Sequence, residues 1–136
     1  MAPEHSQFEY EHSKAWSAAI KSFDGYVFVT PEYNLGVPGG VKNAIDYLYN
    51  EWIGKPVLIV TYGTHGGNLS GDSLKQILSG MKLRVVETRP ALKFAGLGRE
   101  ELMMAAVGKV GPKTMEEWEE VAKEPLLKGF GEQTEE

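Results

Sequence analysis

Thr30-Pro31-Glu32-Tyr33-Asn34 places a proline, a carboxylate, an aromatic ring and an amide at the end of a short apolar run. Proline fixes the turn out of a strand, and the ring and amide presented there suit a flat aromatic ligand that stacks and is hydrogen-bonded at its rim. The plain alternative needs no ligand: Tyr33 packs on a neighbouring helix and Asn34 bonds its own backbone. A second stretch, Tyr62-Gly63-Thr64-His65-Gly66-Gly67, carries glycines that let backbone amides approach a ligand closely and converge on one concavity. Glycine also simply turns a chain, so the pair of loops says more than either alone. His65 stands in the second loop either against a ligand or in solvent, while His5 and His12 have no partners at metal-ligand spacing.

Composition narrows what such loops could serve. The chain has no cysteine, which removes disulfides, thiolate nucleophiles and thiolate metal sites together. Redox chemistry would therefore need a bound cofactor. Nineteen acidic against 14 basic side chains give a net charge of -5, with no Lys/Arg cluster, so nucleic acid is not an expected partner. Met1-Ala2-Pro3-Glu4-His5-Ser6 lacks the basic start and apolar run of a signal peptide, and the longest apolar runs have strand length. The expectation is a cytoplasmic protein with no membrane segment. At 136 residues, 42% hydrophobic and 24% charged, the chain suits a single domain over 1–136, with 131–136 a disordered tail.

The loops need elements to hold them. Trp16, Ile20 and Phe23, with Ala15 and Ala19, share a face at helical spacing, which predicts a helix over about 8–23 stopped at Asp24-Gly25. Tyr26-Val27-Phe28-Val29 follows as a continuous apolar run, the pattern of a strand buried on both faces of a parallel sheet. Val41, Ala44, Ile45, Leu48 and Trp52 predict a second helix reaching Gly54, and Pro56 to Tyr62 a second buried strand. Leu74, Ile77, Leu78 and Met81 predict a third helix after the polar start Ser70-Gly71-Asp72, closed by Gly80. Arg84 to Leu92, of mixed polarity and containing Pro90, predicts an edge strand. Thr114 with Glu117 resembles a capping box for a last helix stopped by Pro125. This alternation of helix and strand predicts an α/β fold: a parallel sheet with helices on both faces, whose ligands bind beyond the carboxyl ends of the strands.

Taken together, Val29-Thr30-Pro31-Glu32-Tyr33-Asn34, Pro38-Gly39, Lys42-Asn43-Ala44-Ile45-Asp46, Gly54-Lys55-Pro56-Val57 and Gly66-Gly67 resemble the NADPH-dependent FMN reductase family of flavodoxin-like quinone and azo reductases. The resemblance runs from about residue 8 to about residue 92. It implies hydride transfer from NADPH through bound FMN to a quinone or another small aromatic acceptor. It places Pro31, Glu32, Tyr33 and Asn34 beside the flavin ring and ribityl chain, and Gly63, Thr64, His65, Gly66 and Gly67 at the pyrimidine edge, mainly through backbone. No side chain need act as acid or base in such a site, because the cofactor carries the chemistry. The resemblance also implies a homodimer or higher homo-oligomer with flavin sites near the subunit boundary, so Tyr47, Tyr49 and Trp52 are either interface residues or the aromatic side of a core helix.

The sequence departs from the family at its start. Members resemble a five-stranded flavodoxin order whose first strand leads into a Gly, Ser, Arg and Asn loop that holds the FMN phosphate on a helix N-terminus. These 136 residues begin at the counterpart of the family's second helix, so the expected sheet is N-terminally shortened, with about three strands. The strand Tyr26 to Val29 is then expected at a sheet edge that something must cover, a second copy of the chain being one candidate. Two further readings stay open: a cofactor-free descendant that binds or transforms an aromatic molecule in the former ring pocket, and a non-catalytic dimerising module.

Overall fold

The computed structural model describes residues 8–94 and 99–129. The order is α1 (Glu11–Ser22), β1 (Tyr26–Pro31), α2 (Gly39–Asp46), a single 3-10 turn (Asn50–Trp52), β2 (Pro56–Gly63), α3 (Asn68–Gly80), β3 (Arg84–Val85), β4 (Ala91–Lys93), α4 (Arg99–Ala106) and α5 (Pro112–Lys128). All strand pairings are parallel, with β2 in the centre: β1 runs along one side of it, and β3 and β4 along the other. The α/β expectation with a parallel sheet holds.

Alternation along β2 splits the core between two faces. Val57 and Ile59 join Ile20 of α1, Ile45 of α2, Trp52, and Leu74 and Leu78 of α3 in the larger cluster. Leu58 and Val60 point the other way and pack with Val86, Leu92 and, from α5, Trp118 and Ala122. The register Tyr26↔Val57 and Val27↔Leu58 carries the same division into β1, where Tyr26 and Phe28 face the larger cluster.

Several expectations need correction. The strand at Tyr26 to Val29 is buried on one face only: Val27 and Val29 remain 44% and 61% exposed, because among the described residues no helix covers them. Among the described residues it lies at the sheet edge, as expected, with β2 as its strand neighbour. The third strand is split, pairing with β2 at Arg84–Val85 and again at Ala91–Lys93, so the sheet has four strands rather than three. Between them the chain stays close to β2, with the Thr61 N–H donating to the Pro90 carbonyl at 2.9 Å.

Helix boundaries moved for local reasons. α2 ends at Asp46, and Leu48 and Trp52 reach the core from the turns that follow it. α3 begins directly after Gly67, and its end is turned not by Gly80 but by Lys82, which takes φ +69°. At Thr114 no capping box forms. Its hydroxyl and N–H instead donate to Glu101 of α4, at 2.7 and 3.3 Å, so a carboxylate from another helix caps α5. Pro125 lies inside α5, which continues to Lys128. α4 gives no apolar stripe at helical spacing in the sequence. The expected tail 131–136 and His5 lie outside the described residues, among which no helix is long and apolar enough to cross a membrane.

Candidate functional site

The ends of β1 and β2 lie side by side, Pro31 beside Tyr62 in parallel register, so both candidate loops leave the sheet at the same edge. Adjacent parallel strands lie about 4.8 Å apart. The geometry therefore brings all nine predicted residues to one rim, at the place where open α/β sheets bind their ligands.

The first loop is a hairpin-like turn. Tyr33 and Gly36 exchange both backbone hydrogen bonds at 3.1 Å, with Asn34 at φ +51° and Leu35 at φ +67° between them. Positive φ at both central positions is the signature of a type I′ turn. Asparagine tolerates that region; for Leu35 it costs of order 1 kcal/mol or more, the kind of backbone strain that gathers at functional sites. Leu35 is also exposed, and Tyr33 projects beside it at 62% exposure rather than packing on a helix. Sequence reasoning missed Leu35, and the signal that marks it, an apolar residue forced left-handed in open solvent, is visible only in the backbone.

Glu32 reaches from the first loop to the second. Its carboxylate Oε1 accepts from the N–H of Ser70, at 3.1 Å, in the first turn of α3. That amide is one of those a helix N-terminus leaves without an intrahelical acceptor, and the helix dipole favours a negative charge there. Because α3 starts where the second loop ends, the contact ties the two loops together across 38 residues of sequence. Glu32 is a brace between them.

In the second loop Thr64 and His65 form an exposed tip above buried Gly66 and Gly67. The Gly66 N–H donates to the Gly63 carbonyl at 3.1 Å, and the Thr61 hydroxyl donates to the Gly66 carbonyl at 2.7 Å. Gly67, at φ +71°, begins α3, and a Cβ there would stand 3.0 Å from both Thr61 Cβ and the Tyr62 carbonyl oxygen. A Cβ on Gly66 would meet that of Ala91 at 3.1 Å. These glycines are thus required first by the close passage of β2 and β4 beneath them. Gly67→Ala is expected to destabilise the fold by roughly 1–3 kcal/mol, through left-handed strain and backbone crowding together. A thermal melt within 1 °C of the parent would show that the loop is not so constrained.

Of the residues left open between core and interface, Trp52 is core, buried among Trp16, Tyr26 and Phe28. Tyr47 is exposed and stands edge-on to His12, which stacks on Tyr10. Among the described residues no group of three or more His, Asp or Glu could hold a metal ion.

A parallel α/β domain with helices on both faces of the sheet is of the flavodoxin-like kind. Residues 2–96 match the NADPH-dependent FMN reductase family, and the chain belongs to it. It is 48% identical over 134 residues to the NAD(P)H-dependent FMN reductase ntnL of Nectria sp, covering 97% of this chain and 66% of that one. To the quinone reductase of Escherichia coli K12 it is 49% identical over 71 residues, 48% of this chain and 38% of that one. The solved structure of the flavoenzyme NAD(P)H:(acceptor) oxidoreductase FerB from Paracoccus denitrificans superposes with a TM-score of 0.62 at 27% identity, over 85% of this chain and 68% of that one. The chain thus spans less than two thirds of these curated relatives' length.

Proposed function

We propose that this domain forms the ring-binding part of an NADPH-dependent FMN reductase, passing hydride through FMN to quinone-type acceptors. The observation that carries the reading is the convergence of Pro31 to Asn34 and Gly63 to Gly67 on one rim, with Glu32 bracing the two loops. The residues fit the ring of the cofactor. Exposed Tyr33 offers a flat face and Asn34 an amide, and the second loop presents Thr64 and His65 at its exposed tip on the same rim. FMN, when bound, supplies the hydride-carrying centre; the residues of this chain hold and orient it and place the nicotinamide against it. The quinone reductase among the relatives supports a quinone as acceptor. A homodimer would meet through the aromatic patch formed by Tyr10, His12 of α1 and Tyr47 just after α2.

The expected result is a protein that takes up added FMN, seen as quenching of flavin fluorescence, and then oxidises NADPH when a quinone is present. A colourless protein that neither quenches FMN nor oxidises NADPH with saturating FMN would overturn the reading.

A further inference from the structure

Leu35 is unfavourable twice over. It is the second central residue of the turn that Tyr33 and Gly36 close, and it takes φ +67° there. Asn-Gly is the favoured pair for such a turn, so a leucine stands where glycine would carry no strain. Its side chain is also 74% exposed. A lone exposed leucine is ordinary on a protein surface, but a leucine that is left-handed and exposed at once is not. It belongs to neither apolar cluster of the core, so packing within the fold does not explain it.

Its place on the rim supplies a reason. Tyr33, two residues earlier in the same turn, is exposed as well. Leu69, half exposed, lies in the first turn of α3, one residue before the Ser70 N–H that Glu32 holds. Large apolar side chains from both loops thus accompany the tie between them. From Tyr33 to Val41 no residue is charged, and the carboxylate of Glu32 is turned to Ser70. An ion arriving at the first loop would meet no opposite charge on it. A flat uncharged ring would meet an aromatic face and aliphatic surface, and covering that surface is favourable.

We infer that Leu35 is a specificity-determining contact for the electron acceptor, selecting uncharged rings with apolar faces, of the naphthoquinone kind, over hydrophilic ions. The role rests on the reductase reading and adds to it the residue that chooses the acceptor. In one turnover NADPH and a solvent proton convert the quinone to its hydroquinone and leave NADP⁺: two electrons and two hydrogens reach the two ring oxygens. Ferricyanide takes one electron per ion, so one NADPH reduces two ions to ferrocyanide and releases NADP⁺ and a proton. It has no apolar face for Leu35 to cover.

The test compares menadione with ferricyanide as acceptors for NADPH oxidation by the FMN-loaded chain, in the parent, Leu35→Gly and Leu35→Met. Leu35→Gly should lower the ratio of the two kcat/KM values, menadione over ferricyanide, about tenfold, the effect of withdrawing one leucine side chain from an apolar contact. The fall should appear in KM for menadione, since the contact is made to the bound acceptor. Leu35→Met restores apolar surface and should recover most of the ratio. Melting separates contact from structure: relief of the left-handed backbone should let Leu35→Gly melt no lower than the parent. An unchanged ratio in an active Leu35→Gly protein would overturn the role and leave the reductase reading standing. So would an equal loss with both acceptors in a variant that melts lower, which would make Leu35 a structural residue. A parent chain that takes up no FMN, or that oxidises NADPH with neither acceptor, would overturn the reductase reading and the role of Leu35 with it.

Discussion

Trp52→Ala is expected to cost about 3–5 kcal/mol. The indole is 1% exposed and touches three rings, Trp16, Tyr26 and Phe28, at centroid distances of 6.2, 5.0 and 5.9 Å. Its Nε1 donates to the Ile45 carbonyl at 3.3 Å. Truncation therefore opens a cavity where α1, α2 and β1 meet, and it frees a buried carbonyl. Against a total stability of about 5–15 kcal/mol, that is a large share, equivalent to a fall in melting temperature of roughly 10–20 °C. Urea denaturation measures it directly. Trp52→Phe should recover more than half of the loss by refilling the space, and a truncation costing under 1 kcal/mol would mean that the ring cluster does not hold β1 to the helices.

Trp52 also shows where periodicity informs and where it misleads. Ile45, Leu48 and Trp52 share a helical spacing, and all three are buried, yet the helix stops at Asp46. Tyr47, Tyr49 and Asn50 are weaker helix formers, and the chain reaches the same face through tightened turns, with the Leu48 N–H donating to the Ile45 carbonyl. Burial was legible there and backbone geometry was not. β1 and β2 make the complementary case. Both read as continuous apolar runs, but only β2 has neighbours on both sides, and no local pattern says whether a strand's second face will find a helix.

The features that escaped the sequence are long-range. Glu101 caps α5 through Thr114 from 13 residues upstream, and the nearby Thr114/Glu117 spacing offered a local substitute that the fold does not use. Helix α4 carries its buried contact on that carboxylate rather than on an apolar stripe, which is why hydrophobic spacing did not reveal it. Pro125 was expected to end α5. It removes the bond that the carbonyl of residue 121 would accept, but Val121 lies on an exposed stretch where water can replace it. In the candidate site, residue types located both loops correctly at the strand ends, whereas the division of labour within them needed coordinates.

That division is testable at Glu32. Under the proposed reductase reading, Glu32→Ala should lower kcat/KM for FMN-supported NADPH oxidation about 10- to 100-fold and weaken FMN binding in parallel, because the brace between the loops is worth roughly 1.5–3 kcal/mol. Glu32→Gln keeps an acceptor oxygen within reach of the Ser70 N–H but loses the charge that favours the start of α3, so it should recover most of the activity. Tyr33→Ala separates positioning from contact. Its side chain is 62% exposed, so its removal should leave the unfolding free energy within about 0.5 kcal/mol while weakening FMN binding. If Glu32→Ala lowered the melting temperature while FMN affinity and turnover stayed at parent values, the carboxylate would be a helix cap and nothing more. Parallel loss of binding in Glu32→Ala and Tyr33→Ala, with stability lost only in the former, is the pattern expected of a brace on one side of a ring site and a ring contact on the other.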